Sequence, residues 1–180
     1  MILNYAECID EFGSDYQIKK ELSKGDLFVA EKGLYSTSKD YSELEVISKK
    51  YDRAIFTGES AFYYHSLTDV IPDHYFIATS RTDSRIHDDR VVQSFILENA
   101  VNEGVITKEY NGAMIRIYSL ERMLIELMRF KSRMPYDYYK EIIGNYRKLV
   151  DQMDFVKVEE YAALFKNGNS YLEMIDKEVL

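Results

Sequence analysis

The chain has few of the residues on which several common protein classes depend. It contains one Cys, two Pro and no Trp in 180 residues. A lone Cys8 cannot form an internal disulfide and cannot supply the cysteine pairs of a structural zinc site. Disulfide scaffolds and cysteine-ligated zinc domains are therefore excluded. We expect Cys8 to be a small buried residue in a protein of the reducing cytoplasm.

Long apolar runs and glycine-rich loops are also absent. No segment approaches the roughly 20 apolar residues that cross a bilayer. Met1 leads directly into polar and acidic residues, so we expect no signal peptide. Gly33 and Gly58 are isolated, so neither common phosphate-binding loop is present. These absences predict a cytoplasmic protein with no membrane association and no bound cofactor.

Positive charge is scarce. The chain carries 23 Lys and Arg against 31 Asp and Glu, which gives a net charge of −8. Residues 1–40 alone hold five Lys and eight Asp or Glu. Proteins that bind nucleic acid usually present a basic surface. Any contact with DNA must therefore come from a local basic patch, because the negative net charge of the chain repels DNA.

The pattern that is present predicts an α+β fold. Residues 1–40 indicate a helix over 3–12, a second helix ending at Gly25, and two short strands joined by a turn at 31–33. Helix, helix and a two-stranded wing is the layout of a compact winged helix. The alternative is a small N-terminal cap on the main domain.

Residues 41–180 predict a small, mostly antiparallel sheet followed by a C-terminal helical bundle. Asn111-Gly112 is the dipeptide preferred for a type I′ hairpin turn. From Ser119 onward the apolar residues recur with a helical period. We place a domain boundary near 36–42, with a winged-helix-like module at 1–40 and an α+β domain with a helical tail at 41–180.

No residue pattern supports catalysis. His65 has no second histidine at metal-ligand spacing, and we expect its ring to bond a backbone carbonyl. Ser60 has a glycine two residues before it but Phe62 two residues after it, so the nucleophile-elbow motif is incomplete. We expect Ser60 to bond backbone in the first helical turn. The sequence predicts a protein that is not an enzyme and has no small-molecule substrate.

Two further groups of side chains are candidates for contacts. Glu121 and Arg122 begin the long helix, where the Glu121 carboxylate is favourable against the helix dipole. Arg122 either forms a fold-organising ion pair with a carboxylate of the sheet or reaches a partner protein. Four lysines of the second helix and the wing are placed to contact a DNA backbone, namely Lys19, Lys20, Lys24 and Lys32. Gln17 is the single candidate for base readout. Interleaved acidic residues weaken this patch.

Two segments about fifty residues apart show a resemblance to a known family. The first runs from Thr57 to Pro72 and contains Ser60, Ala61, His65 and Leu67; the second runs from Ile115 to Leu124 and contains Tyr118, Glu121 and Arg122. With Lys32-Gly33-Leu34-Tyr35 near the N-terminus, their order resembles the AbiEi family, the antitoxins of AbiE-type (type IV) bacterial toxin–antitoxin systems. The family-motif residues are Gly33, Tyr35, Ser60, Ala61, His65, Leu67, Pro72, Tyr118 and Glu121.

The resemblance implies a cytoplasmic antitoxin that neutralises a cognate toxin of nucleotidyltransferase type. It also implies a winged-helix N-terminus that binds operator DNA and represses the operon, in systems of plasmid maintenance and abortive infection against phage. The toxin-facing surface would then come from the helical tail, with the cationic set Arg122, Arg129, Lys131, Arg133 and Arg147. The alternative is an orphan winged-helix regulator or accessory protein without a toxin. The N-terminal module is short and acidic, and the C-terminal portion is shorter than in the fuller members.

Overall fold

The computed structural model describes all 180 residues, which form two units. The first unit comprises Met1–Arg53 and Glu109–Ile115, and the second comprises Ala54–Lys108 and Arg116–Leu180. The first unit therefore continues beyond residue 40. The functional division at 1–40 and 41–180 stays a prediction.

The first unit contains three short strands and three helices. In chain order they are β1 (Ile2–Asn4), α1 (Tyr5–Phe12), α2 (Asp15–Lys24), β2 (Phe28–Glu31), β3 (Leu34–Ser36) and α3 (Glu43–Lys50). The three strands form an antiparallel sheet in the order β1-β3-β2, so the first strand lies beside the last. This sheet and the helices bury two small apolar clusters. One contains Cys8 and Ile18, and the other contains Ile2 and Val46.

The start of the chain differs from the predicted helix over 3–12. Ile2 and Leu3 pair with β3, and the helix begins only at Tyr5. Asn4 is the reason, because its side chain accepts a hydrogen bond from the Glu7 backbone N–H while the Glu7 carboxylate accepts one from the Asn4 backbone N–H. This reciprocal cap satisfies two free donors and fixes the helix start. The prediction is therefore wrong for residues 3 and 4.

Cys8 is fully buried in the first unit, as predicted. Burial raises the pKa of its thiol, and the nearby carboxylates of Glu7 and Glu11 raise it further. The thiolate is the reactive form of cysteine. Cys8 therefore acts as a packing residue between α1 and its neighbours.

The second unit contains a five-stranded sheet and five helices. In chain order they are β4 (Ile55–Phe56), α4 (Gly58–Tyr64), β5 (Tyr75–Ser80), β6 (Val91–Ile96), β7 (Val105–Tyr110), β8 (Ala113–Tyr118), α5 (Leu120–Phe130), α6 (Tyr136–Leu149), α7 (Phe155–Ala163) and α8 (Gly168–Glu178). The strand order is β6-β5-β4-β8-β7. The tip of the β7–β8 hairpin is grouped with the first unit.

The sheet is mixed, and the prediction of a mostly antiparallel sheet is wrong in this respect. β4 pairs antiparallel with β5 but parallel with β8, and β5 pairs parallel with β6 over all six residues. A parallel pair needs a crossover connection rather than a tight turn. The polar loop 81–90 supplies it here without a helix.

The β7–β8 turn has the predicted conformation. Asn111 and Gly112 both have positive φ, 46° and 83°. Positive φ at both central residues is the requirement of a type I′ turn, and Asn-Gly meets it at little steric cost. The sequence therefore sets the register of this hairpin locally.

The C-terminal helical region is confirmed. A short 3-10 turn, Lys131–Arg133, separates α5 from α6, and another, Val150–Gln152, separates α6 from α7. α5 is the central helix, because every residue from Arg122 to Met128 is buried. The Tyr146 hydroxyl of α6 donates to the Leu120 carbonyl at 3.0 Å, which ties α6 to the start of α5. No helix has the length and apolar character needed to span a membrane.

Candidate functional site

The predicted DNA-contacting residues lie on α2 and on the β2–β3 turn. The Ser14 side chain accepts a hydrogen bond from the Gln17 backbone N–H and begins α2, and Gly25 ends it with φ of 81°. Ile18 faces the core, whereas Tyr16 is 72% exposed. α2 therefore presents an exposed face with one aromatic ring and three lysines.

Ion pairs reduce the positive charge of this surface. Lys19 pairs with Asp15 at 2.7 Å, and Lys24 pairs with Glu21 at 2.7 Å. Lys20 and Lys32 are exposed and make no ion pair. Lys20 and Lys32 are therefore the two lysines of the predicted set without an ion pair inside the chain. Gln17 is half-buried at the start of α2.

The β2–β3 turn holds the other N-terminal motif residues. Gly33 has φ of 80°, a conformation that favours glycine, and follows the exposed Lys32. Tyr35 is half-buried and packs against the apolar cluster that contains Cys8. Gly33 and Tyr35 therefore shape and anchor this turn.

The second candidate region is the junction between β8 and α5. The Ser119 N–H donates to the Gly104 carbonyl at 2.7 Å, and the Ser119 hydroxyl accepts from the Arg122 N–H at 3.3 Å. The buried Tyr118 hydroxyl donates to the Val101 carbonyl at 2.8 Å. Burial raises the pKa of Tyr118 well above its ordinary value, so the phenol keeps its proton for this bond. The junction is thereby fixed to the loop that precedes β7.

Arg122 is fully buried at this junction and cannot contact a partner. Its guanidinium donates to the carbonyls of Ala100 and Glu103 at 2.7 and 2.9 Å. It also donates twice to one carboxylate oxygen of Glu126, at 3.0 and 2.9 Å. The assignment of Arg122 to a partner-binding surface is therefore wrong. Its carboxylate partner lies one turn along α5 rather than on the sheet.

Arg129 belongs to the same buried network. It donates to both Glu126 carboxylate oxygens, at 2.7 and 2.6 Å. Its guanidinium lies 4.1 Å from the centre of the Phe165 ring, and that of Arg122 lies 5.0 Å from the same ring. Two cations and one aromatic ring therefore surround a single buried carboxylate, and only part of Arg129 reaches solvent.

Two more predicted partner residues hold α8 in place. Lys131 forms an ion pair with Glu178, and the Arg147 Nε donates to the Glu178 carbonyl at 2.7 Å. The Tyr139 hydroxyl donates to the Glu178 carboxylate at 2.7 Å. Burial raises the pKa of Glu178, but the hydrogen bonds from Lys131 and Tyr139 outweigh it and lower the pKa overall. Of the predicted partner set, Arg133 is exposed, makes no ion pair and lies 5.7 Å from the Phe130 ring centre.

His65 joins the two segments that carry the family resemblance. It ends α4, and its Nε2 lies 2.7 Å from the Tyr118 carbonyl oxygen. Because a carbonyl only accepts, Nε2 carries the proton of a neutral ring. Burial lowers the pKa of His65, the hydrogen bond to the Tyr118 carbonyl raises it, the nearby Lys108 lowers it, and the nearby Glu121 raises it. The net effect is a lowered pKa. The ring therefore forms the predicted bond to a backbone carbonyl.

We expect His65 to make the protein less stable below neutral pH. In the unfolded chain its pKa is near the ordinary 6.5, and in the folded chain it is lower. The unfolded state therefore binds more protons below pH 6.5, and the free energy of unfolding falls as the pH falls from 7 toward the folded-state pKa. His65→Gln should make that decline shallower by up to about 1.4 kcal/mol per pH unit.

Urea titrations at several pH values between 5 and 8 measure this effect. His87→Gln is the matched control, because His87 lies in the exposed loop before β6. Its unfolding under the same conditions gives the effect of a change from histidine to glutamine at an exposed position. Identical profiles for wild type and His65→Gln would contradict the prediction.

The remaining motif residues of α4 and its following loop are structural. Ala61 and Leu67 are fully buried, and Pro72 is half-buried. The Ser60 hydroxyl donates to the His74 carbonyl at 3.3 Å and accepts from the Phe76 N–H at 2.9 Å. Ser60 therefore ties α4 to β5 and does not bond within its own helical turn.

The geometry also revealed a carboxylate that sequence reasoning missed. Glu126 is 1% exposed and organises the Arg122–Arg129 network. The available signal was its position, four residues after Arg122 and three before Arg129 on one helix. Glu121, by contrast, is half-buried at the helix start, where its carboxylate accepts a hydrogen bond from the Asp154 backbone N–H at 3.4 Å.

No protein-family model matches the chain, and no curated protein matches it at significant similarity. The residues and contacts described above are therefore the basis for assigning a function.

Proposed function

We propose that this protein is an antitoxin of the AbiEi-like type, which neutralises a cognate nucleotidyltransferase toxin. The observation that carries the proposal is the 2.7 Å contact between His65 and the Tyr118 carbonyl. It joins two segments, far apart in sequence, whose order suggested the family. A chance likeness of two unrelated segments would not require them to meet, so this contact supports reading them as one motif.

The N-terminal unit supports a second part of the proposal, repression of the operon through a winged helix. Its element order is strand, helix, helix and hairpin, and its sheet order is β1-β3-β2. In a winged helix the first strand pairs with the last strand of the wing in the same way. On this reading α2 is the helix that enters the major groove, and Lys32 is at the tip of the wing.

The same unit favours the alternative function, an orphan transcriptional regulator without a toxin. That alternative needs only the DNA-contacting surface of α2 and the β2–β3 turn. It makes no use of the cationic side chains in the helical tail, most of which are occupied by Glu126 and Glu178. The presence or absence of a toxin partner therefore distinguishes the two proposed functions.

Co-expression with the adjacent gene tests the proposal directly. We expect the neighbour to arrest growth when expressed alone, and this protein to restore growth and to co-purify with the toxin. Restored growth without a stable complex would indicate an indirect antagonist. A neighbour that is not toxic, or a toxin that this protein does not neutralise, would overturn the antitoxin proposal and favour the orphan regulator.

DNA binding should depend on the two lysines that make no ion pair. We expect Lys20→Ala combined with Lys32→Ala to weaken binding to the DNA upstream of the gene. The slope of log K against log salt concentration should become shallower by about 2, because each phosphate contact contributes about 0.9. Fluorescence anisotropy at four or five salt concentrations measures both quantities.

The control for this experiment is Lys140→Ala, an exposed lysine of α6 in the second unit. It should leave the affinity and the slope unchanged. An unchanged slope in the Lys20 and Lys32 double variant would remove α2 and the β2–β3 turn as the DNA-contacting surface.

A further inference from the structure

The second unit contains an apolar cavity that the proposed function does not use. Its volume is about 230 Å³. The walls include the side chains of Phe62, Phe76, Ile96, Phe130 and Met134, from two helices, two strands and the turn after α5. An apolar protein cavity of about 150 Å³ is large enough to hold benzene. This cavity is therefore large enough for a substituted aromatic ring or a branched aliphatic group.

Two charged side chains without partners line the same cavity. Glu59 makes no hydrogen bond or ion pair, and Arg133 makes no contact with a carboxylate. Partial burial raises the pKa of Glu59, and the nearby Asp73 raises it further while His74 lowers it. A carboxylate that is partly removed from water without a cation is unfavourable. An ammonium group bound at Glu59 would remove this cost.

A third polar group in the cavity also lacks a strong partner. Thr57 is 6% exposed, and its hydroxyl donates only to the Met123 sulfur at 3.9 Å. A thioether is a weak acceptor. The hydroxyl is therefore available to a ligand oxygen. The other carboxylate of the wall, that of Glu126, accepts hydrogen bonds from Arg122 and Arg129.

We propose that this cavity binds a small zwitterion with a large apolar side chain, of the chemical class of phenylalanine and leucine. The apolar walls hold the side chain, Glu59 receives the ammonium group, and Arg133 receives the carboxylate. Charge complementarity selects this class, because a purely apolar ligand would leave both charges unpaired. An arginine suits a carboxylate well, since its planar guanidinium can donate two parallel hydrogen bonds.

The test is an NMR titration of the full chain with three probes. L-phenylalanine is the expected ligand, phenethylamine lacks its carboxylate, and 3-phenylpropionate lacks its ammonium group. We expect saturable binding of L-phenylalanine with a dissociation constant on the order of 1 mM, given its few non-hydrogen atoms. Each truncated probe should bind about tenfold more weakly, because it loses one charge-assisted hydrogen bond.

Two variants assign the charges. Glu59→Gln should weaken L-phenylalanine and phenethylamine but not 3-phenylpropionate, and Arg133→Gln should weaken L-phenylalanine and 3-phenylpropionate but not phenethylamine. Both side chains reach solvent, so both variants should fold, which their NMR spectra without ligand check directly. The absence of saturable binding would overturn the proposal. Equal binding of all three probes would also overturn it, because the cavity would then recognise only the apolar part of each probe.

Discussion

Arg122→Met is expected to lower the free energy of unfolding by about 3–5 kcal/mol, because it breaks a buried ion pair on one side only. The variant removes four hydrogen bonds from the guanidinium. It leaves the carbonyls of Ala100 and Glu103 without these donors, and it leaves Glu126 with Arg129 as its remaining partner. A buried acceptor that loses its donor costs about 1–3 kcal/mol.

The space around Arg122 leaves little room for rearrangement. A Cβ atom added at Gly104 would lie 2.7 Å from the Arg122 Cβ. The guanidinium also lies 4.4 Å from the Tyr118 ring centre and 5.0 Å from that of Phe165. Close packing on both sides means that the structure relaxes only in part after the substitution, so water does not readily replace the lost donors.

Urea denaturation of wild type and variant measures the effect. Arg133→Met is the matched control, because the exposed Arg133 makes no ion pair, and it should change the free energy of unfolding by less than about 0.5 kcal/mol. The double variant Arg122→Met with Glu126→Leu should lose less than Arg122→Met alone, because it removes the carboxylate with the guanidinium. A loss below about 1 kcal/mol in Arg122→Met would show that the network does not stabilise the fold.

The sequence predicted those parts of the fold in which local chemistry decides the structure. The period of apolar residues after Ser119 predicted the C-terminal helices, because apolar residues at helical spacing pack into the core, as Tyr139, Ile142, Ile143 and Tyr146 of α6 do. Asn111-Gly112 predicted its hairpin, because the turn itself requires positive φ. In both cases the signal lies within a few residues of the element that it specifies.

Prediction from the sequence failed where the structure depends on contacts between residues far apart in the chain. β1 has only three residues, too few to show a strand period, and its pairing with β3 joins residues 30 or more positions apart, such as Asn4 with Leu34. The parallel pairing of β5 with β6 is likewise invisible, because alternation of apolar residues does not specify the direction of the neighbouring strand. The antiparallel prediction failed for this reason.

The residues of the candidate sites also differ in whether local sequence or distant partners determine their contacts. The bond from His65 to a carbonyl was predictable, because a helix-end histidine without ligand partners commonly makes one. The role of Glu178 was not predictable. Its partners Lys131, Tyr139 and Arg147 come from α6 and the turn before it, and only the packing of α8 brings them together. Cationic residues that suggested a partner surface are therefore mostly bound within the chain.

Gly168→Ala is expected to be the second most destabilising of these substitutions, because a Cβ atom there collides with backbone. An added Cβ would lie 2.2 Å from the Ala162 carbonyl oxygen and 2.7 Å from its carbon. No real Cβ atom approaches backbone so closely, so the turn between α7 and α8 must open. Gly168 is buried, and its N–H donates to the Phe165 carbonyl at 3.0 Å within that turn.

Opening this turn would also disturb the buried charge network. The Phe165 ring lies against the guanidinium groups of both Arg122 and Arg129. Overpacking in a well-packed region costs about 1–3 kcal/mol, and more when backbone must move. We therefore expect Gly168→Ala to lower the free energy of unfolding by about 3 kcal/mol. Urea denaturation measures it, with retained helical circular dichroism as evidence that the variant folds.

Gly144→Ala is the matched control, because it makes the same chemical change inside a helix with open space around it. No atom lies within 4 Å of a Cβ added at Gly144, which is in the middle of α6. Alanine favours the helix over glycine, so this variant should be more stable than wild type by about 0.5–1 kcal/mol. If both variants changed stability by the same amount and sign, helix propensity alone would explain Gly168, and its close contact with Ala162 would carry no energetic weight.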